Sequence, residues 1–153
     1  MKENYFKLLE YEEKLQKTGE YFSLEKEKEL LNYESQISDH LRWKKKNHFI
    51  EVMVDFLEDT IDFDQYIDCF YEIDYEIQEY KEKLKSDFEK LRAFEPDPRS
   101  KGFAILIENL FSDIRVLEPD DELRTEDEIS EKSLRDGIKE FLPKVKEFNL
   151  FSL

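Results

Sequence analysis

Apolar side chains recur three and four positions apart along almost the whole chain, and no alternating pattern persists. Three-and-four spacing puts apolar groups on one face of a helix, whereas a half-buried strand needs a period of two. Helices are therefore the elements this sequence can build. The longest run is Phe63, Tyr66, Ile67, Phe70, Ile73, Ile77, Tyr80, Leu84, Phe88 and Leu91, which predicts one helix over about 63–93. Asp62 is placed to cap it, and the two prolines of Glu95-Pro96-Asp97-Pro98 end it.

The same pattern predicts a short helix over 3–17, ended by Thr18-Gly19. A second helix runs from a Ser23 cap to about Lys46. A third, over 48–58, is apolar on most sides and hence central. Ser100 is the expected cap of a fifth helix reaching about Leu117, and Ser130 that of the last, where Pro143 should kink or split the chain. The expected fold class is all-α. An antiparallel four-helix bundle over 48–153 is preceded by an N-terminal extension of two helices over 1–47.

Charge divides the chain at the same place. Residues 1–47 hold ten basic and ten acidic side chains, and residues 48–153 hold 14 and 29, which accounts for the entire net charge of −15. Asn47 to Tyr80 carries eleven carboxylates and no Lys or Arg. Asp113 to Glu131 carries nine against Arg115 and Arg124. Such a surface repels nucleic-acid phosphates and anionic lipid, so no direct nucleic-acid or membrane binding is expected. No apolar run is long enough to cross a bilayer, and no signal-peptide pattern stands at the N-terminus. A lone cysteine, Cys69, fits a reducing, intracellular setting. Two alanines against many Lys, Ile, Phe, Tyr and Asn are what AT-rich codons give, which points to a bacterial cytoplasm or to a plastid genome.

No residue set suggests catalysis, a metal site or a cofactor. There is no Gly-rich phosphate loop, nucleophile elbow or metal-ligand cysteine pair. His40 and His48 lack a second ligand at helical spacing and read as solvated or partly packed histidines at a helix junction. Acidic neighbours raise the thiol pKa of Cys69, so it reads as a packing residue. Trp43, among Arg42, Lys44 and Lys45, either packs the N-terminal helices onto the bundle or marks a contact surface. The acids at 118, 120, 121 and 122 cluster on a Pro-fixed turn at a helix C-terminus, where the helix dipole opposes them. Stability does not explain that placement, whereas a concave basic partner would.

Three segments resemble the bacterial self-protective colicin-like immunity family, of the colicin D type. Phe56-Leu57-Glu58-Asp59-Thr60-Ile61-Asp62-Phe63-Asp64-Gln65-Tyr66 is similar to its first turn. Leu110 to Arg124, with Glu118-Pro119-Asp120-Asp121 inside it, resembles the end of its third helix and the acidic turn beyond. Ile129-Ser130-Glu131-Lys132-Ser133-Leu134-Arg135 resembles the start of its last helix. The resemblance covers about residues 48–147. It implies a non-catalytic bundle whose acidic face replaces tRNA phosphates in the basic cleft of a tRNA-cleaving toxin. By motif, Glu118 and Asp120 carry that face, Asp121 and Glu122 come next, and Asp113 adds to it. Arg115 occupies a position that is acidic in the family. The expected partner is thus a basic nuclease toxin domain, bound by a monomer that needs no cofactor. The alternative is a non-catalytic helical assembly protein that keeps this fold, its 24–46 and 63–93 helices pairing with another partner or a second copy.

Overall fold

The computed structural model describes residues 2–150, with side chains over 3–148. The described residues form α-helices and no strand. The helices are α1 (Lys2–Thr18), α2 (Leu24–Lys44), α3 (Lys46–Leu57), α4 (Phe63–Ser86), α5 (Phe88–Ala93), α6 (Ser100–Arg115) and α7 (Glu131–Leu150).

Short polar side chains set most of the starts. The Ser23 hydroxyl accepts the Lys26 N–H at the head of α2. At α4, Asp62 accepts the Gln65 N–H at 2.9 Å while the Gln65 side chain accepts the Asp62 N–H at 3.0 Å, which closes a capping box. Ser130 accepts the Ser133 N–H at 3.1 Å and so starts α7. Ser100 does otherwise. It is the first residue of α6, buried, and its hydroxyl donates to the Asp97 carbonyl at 2.6 Å. The Asp97 side chain meanwhile accepts the Arg99 N–H at 2.8 Å, so Asp97 organises that turn.

Three breaks differ from the sequence expectation. The expected 63–93 helix is two helices, because Asp87 leaves helical geometry and its carboxylate caps α5 through the Lys90 N–H at 3.2 Å. α2 ends at Lys44, and the single residue Lys45 separates it from α3. Pro143 does not split α7, which continues through it. Pro143 and Lys139, whose carbonyl loses its helical N–H partner, are both solvent-exposed, so water can replace the missing bond.

α3 lies at the centre, packed against α4 and α7. Its Phe49 is fully buried, with ring centroids 5.2 Å from Phe70 of α4, 6.3 Å from Phe103 and 6.5 Å from Phe111 of α6. Phe56 stacks on Tyr66 at 4.6 Å. α2 packs against α6 and α4, and Leu30, Ile37, Leu41 and Trp43 belong to the same buried cluster. Arg42 reaches Glu108 of α6 at 3.1 Å and Asp74 of α4 at 3.6 Å. α1 joins through Tyr5 and Leu8. Trp43 is a packing residue, edge-on to Phe103 and Phe148, with Lys46 and Arg99 over its ring at 4.4 and 4.7 Å.

Arg135 ties α7 to the end of α3. It donates to the Phe56 carbonyl at 2.7 Å, pairs with Asp59 at 2.9 Å and lies 4.0 Å from the Phe56 ring. Asp59 itself adopts a left-handed φ of 58°, the conformation that commonly closes a helix C-terminus. Arg135→Ala leaves that carbonyl without its charged donor and removes the packing. Urea denaturation should register a loss of about 2 kcal/mol.

Candidate acidic loop after α6

Beyond α6 the chain makes a loop whose two ends are pinned together. Leu117 and Ile129 form an isolated parallel bridge. The Glu118 N–H donates to the Ile129 carbonyl at 2.9 Å, and the Ile129 N–H to the Val116 carbonyl at 2.7 Å. Leu117 and Ile129 are the apolar anchors, half-buried against the core. Residues 118–128 are thereby held as a closed excursion at the C-terminal end of α6.

The acids of the loop organise its backbone. The Glu118 carboxylate accepts the Asp120 N–H at 3.0 Å, and the Asp120 carboxylate accepts the Glu122 N–H at 2.9 Å. Arg124 donates to the Glu118 carbonyl at 3.2 Å and pairs with Asp121. Glu128 accepts from both the backbone and the hydroxyl of Thr125, and these bonds lower its pKa. Glu118 is half-buried, while Asp120, Asp121 and Glu122 are exposed. The Glu118, Asp120 and Asp121 carboxylates have more acceptor positions than their internal bonds use. The loop therefore presents its negative charge in a fixed arrangement.

Asp113 is placed differently. It is half-buried on α6, and burial raises its pKa. Its Oδ2 lies 3.3 Å from where a Cβ on Gly137 would sit, so it faces α7 rather than standing with the loop. Its charge adds to the burial that raises the pKa of Tyr66, whose buried hydroxyl has no hydrogen-bond partner. Arg115 turns back along α6 and holds Glu108 at 3.0 Å. Gly137→Ala removes a flexible residue from a helix interior and asks only that the Asp113 carboxylate yield by a few tenths of an ångström. We expect a gain of about 0.5 kcal/mol by thermal or urea unfolding.

The other singled-out residues take quieter places. His48 is exposed. His40 is half-buried, edge-on to Phe94 at 4.8 Å, and its Nδ1 accepts the Asp97 N–H at 2.8 Å. Burial, then Lys44, lower its pKa against the pull of Asp97. Cys69 is half-buried, its thiol pKa raised by burial first and then by Glu72, Asp68 and Asp55. No cluster of three or more potential metal ligands occurs among the described residues, and none of their helices is long and apolar enough to cross a membrane. A groove between α2, α4 and the end of α5, lined by His40, Leu41 and Phe94 among others, has no signal in the sequence, because it depends on how those helices pack. No protein-family model, no curated protein and no solved structure matches the chain.

Proposed function

We propose that this chain is a non-catalytic, immunity-type protein that neutralises a basic, tRNA-cleaving nuclease domain by occupying its active-site cleft. The observation that carries the reading is the acidic loop: carboxylates at 118, 120, 121 and 122 on a backbone pinned at both ends. A preorganised anionic loop loses little conformational freedom on binding and can meet cationic side chains that otherwise hold phosphates. Glu118 and Asp120 are the central contacts, with Asp121 and Glu122 beside them; Asp113, turned toward α7, stands apart from that face. In this reading α3, α4, α6 and α7 are the four-helix bundle. α1 and α2, between Lys2 and Lys44, are the extension, and α2 also contributes to the core. Arg115 does not oppose the loop, since its guanidinium is engaged by Glu108. The proposed setting is the cytoplasm of a bacterium, or a plastid, with the chain acting as a monomer.

The test is calorimetric titration against a panel of tRNA-cleaving toxin domains at low and high salt. Tight binding to one of them that weakens as salt rises supports the proposal; no binding to any of them removes it.

One observation favours a second reading, a helical assembly protein. α4 leaves Tyr71, Tyr75 and Tyr80 exposed by 47%, 65% and 55%, more aromatic surface than a solvated helix needs. A stable dimer by light scattering, dissociated by Tyr75→Glu, would replace the first reading with this one.

A further inference from the structure

The connector between α5 and α6, residues 94–99, has few backbone donors with which to fasten itself. Pro96 and Pro98 have no N–H. The Phe94 N–H bonds back to Leu91, and the Arg99 N–H bonds to the Asp97 carboxylate inside the segment. The Asp97 N–H instead crosses to α2, where Nδ1 of His40 accepts it at 2.8 Å. The His40 ring also meets the Phe94 ring edge-on at 4.8 Å, so one side chain holds the connector at two places.

A backbone N–H only donates, so Nδ1 carries a lone pair here and the ring is neutral. Protonation would set two N–H groups facing each other at 2.8 Å with no acceptor between them. The Asp97 carboxylate is not spare to replace the lost partner. Its Oδ1 accepts the backbone N–H and Nε of Arg99 at 2.8 and 2.9 Å, and its Oδ2 accepts Nη2 at 2.7 Å. Swinging it toward an imidazolium would dismantle the turn that starts α6.

The charges around the ring are mixed. Lys44, one turn on in α2, opposes protonation, and Asp97 favours it. From α4, Glu76 and Tyr80 line the same groove, as Glu95 of the connector does, and Glu76 is joined to Lys45 of α2 at 2.7 Å. Burial is the largest influence, and the His40 pKa lies below its ordinary value of about 6.5. Neutral His40 thus contributes its full stabilisation above about pH 6.5, and that contribution is lost as the pH falls through the lower, native value.

We propose that His40 is an acid-sensitive latch: neutral, it holds the connector on α2; protonated, it releases the Asp97 N–H and lets residues 94–97 lift from that helix. The latch is separate from the acidic loop and does not depend on a toxin partner.

The test is amide hydrogen exchange on the full chain from about pH 8 to about pH 5, corrected for intrinsic rates, with the His40 ring titrated in the same samples. His40 should titrate below its ordinary value, and protection at Asp97 should fall roughly tenfold with the same midpoint, the scale of one net hydrogen bond. His40→Asn puts an amide oxygen where Nδ1 accepts and does not titrate, so the step should vanish. His48→Gln, at an exposed position, should keep it. A His40 pKa at or above the ordinary value, unchanged Asp97 protection as His40 becomes charged, or a step that survives in His40→Asn would each overturn the latch.

Discussion

Phe49→Ala is expected to cost about 3–5 kcal/mol, which for a chain of this size is a large part of its whole stability. Phe49 has no exposure and meets aromatic rings from α4 and α6 at once. Truncation removes the transfer free energy of the ring and leaves a void that α4 and α6 would have to shift to fill. Repacking is hindered because those neighbours, Phe70, Phe103 and Phe111, are themselves fully or almost fully buried. Urea denaturation should show a lower midpoint at an unchanged slope, the sign of lost stability rather than of an altered unfolded state. Tyr11→Ala, at a position 40% exposed, serves as the control and should cost far less. A Phe49→Ala loss below about 1 kcal/mol would mean that α3 is not the centre of the fold.

The second large effect concerns the acidic loop. On the proposed function, Glu118→Lys with Asp120→Lys should abolish protection against the cognate nuclease and reduce affinity by a hundredfold or more, roughly the scale measured for close charge pairs at interfaces. Charge reversal alone is ambiguous here, because both carboxylates also accept backbone N–H groups of the loop. Glu118→Gln with Asp120→Asn separates the two roles, since an amide oxygen still accepts those bonds and the charge is gone. If charge is what the partner reads, the amide pair slows association and flattens the salt dependence while the loop keeps its shape. If the amide pair protects as well as the parent chain, the loop is not the inhibitory surface. The amide pair should change global stability by no more than about 0.5 kcal/mol, because both sites lie on or near the surface and the loop's bonds are kept.

Helical content was legible because it depends on spacing alone, and the caps at Ser23, Asp62 and Ser130 because they depend on residues three apart. The α4–α5 break was not. Leu84, Phe88 and Leu91 continue the apolar period across it with no Pro or Gly to mark it. What makes the break is a side-chain bond from Asp87, and an Asp inside a periodic run looks the same whether it caps or faces water. Ser100 misled for a related reason: the neighbouring Asp97 was as good a turn-former, and the structure uses that residue. At the candidate site the clustering of acids at 118–122 could be read directly. The inward direction of Asp113 could not, because it follows from the approach of α7 at Gly137, more than twenty positions away in sequence.

The pinning of Val116 and Glu118 to Ile129 has a consequence for how such a chain can change over generations. With the two ends already side by side, lengthening the segment between them adds only the logarithmic part of the ring-closure entropy, about 0.6 kcal/mol for a doubling. Insertions, deletions and substitutions there leave the buried cluster untouched, so the segment can explore new sequences at almost constant fold stability. The helices act as a constant frame, and the excursion between 118 and 128 is the variable part, free, on the proposed function, to follow a toxin that is itself changing.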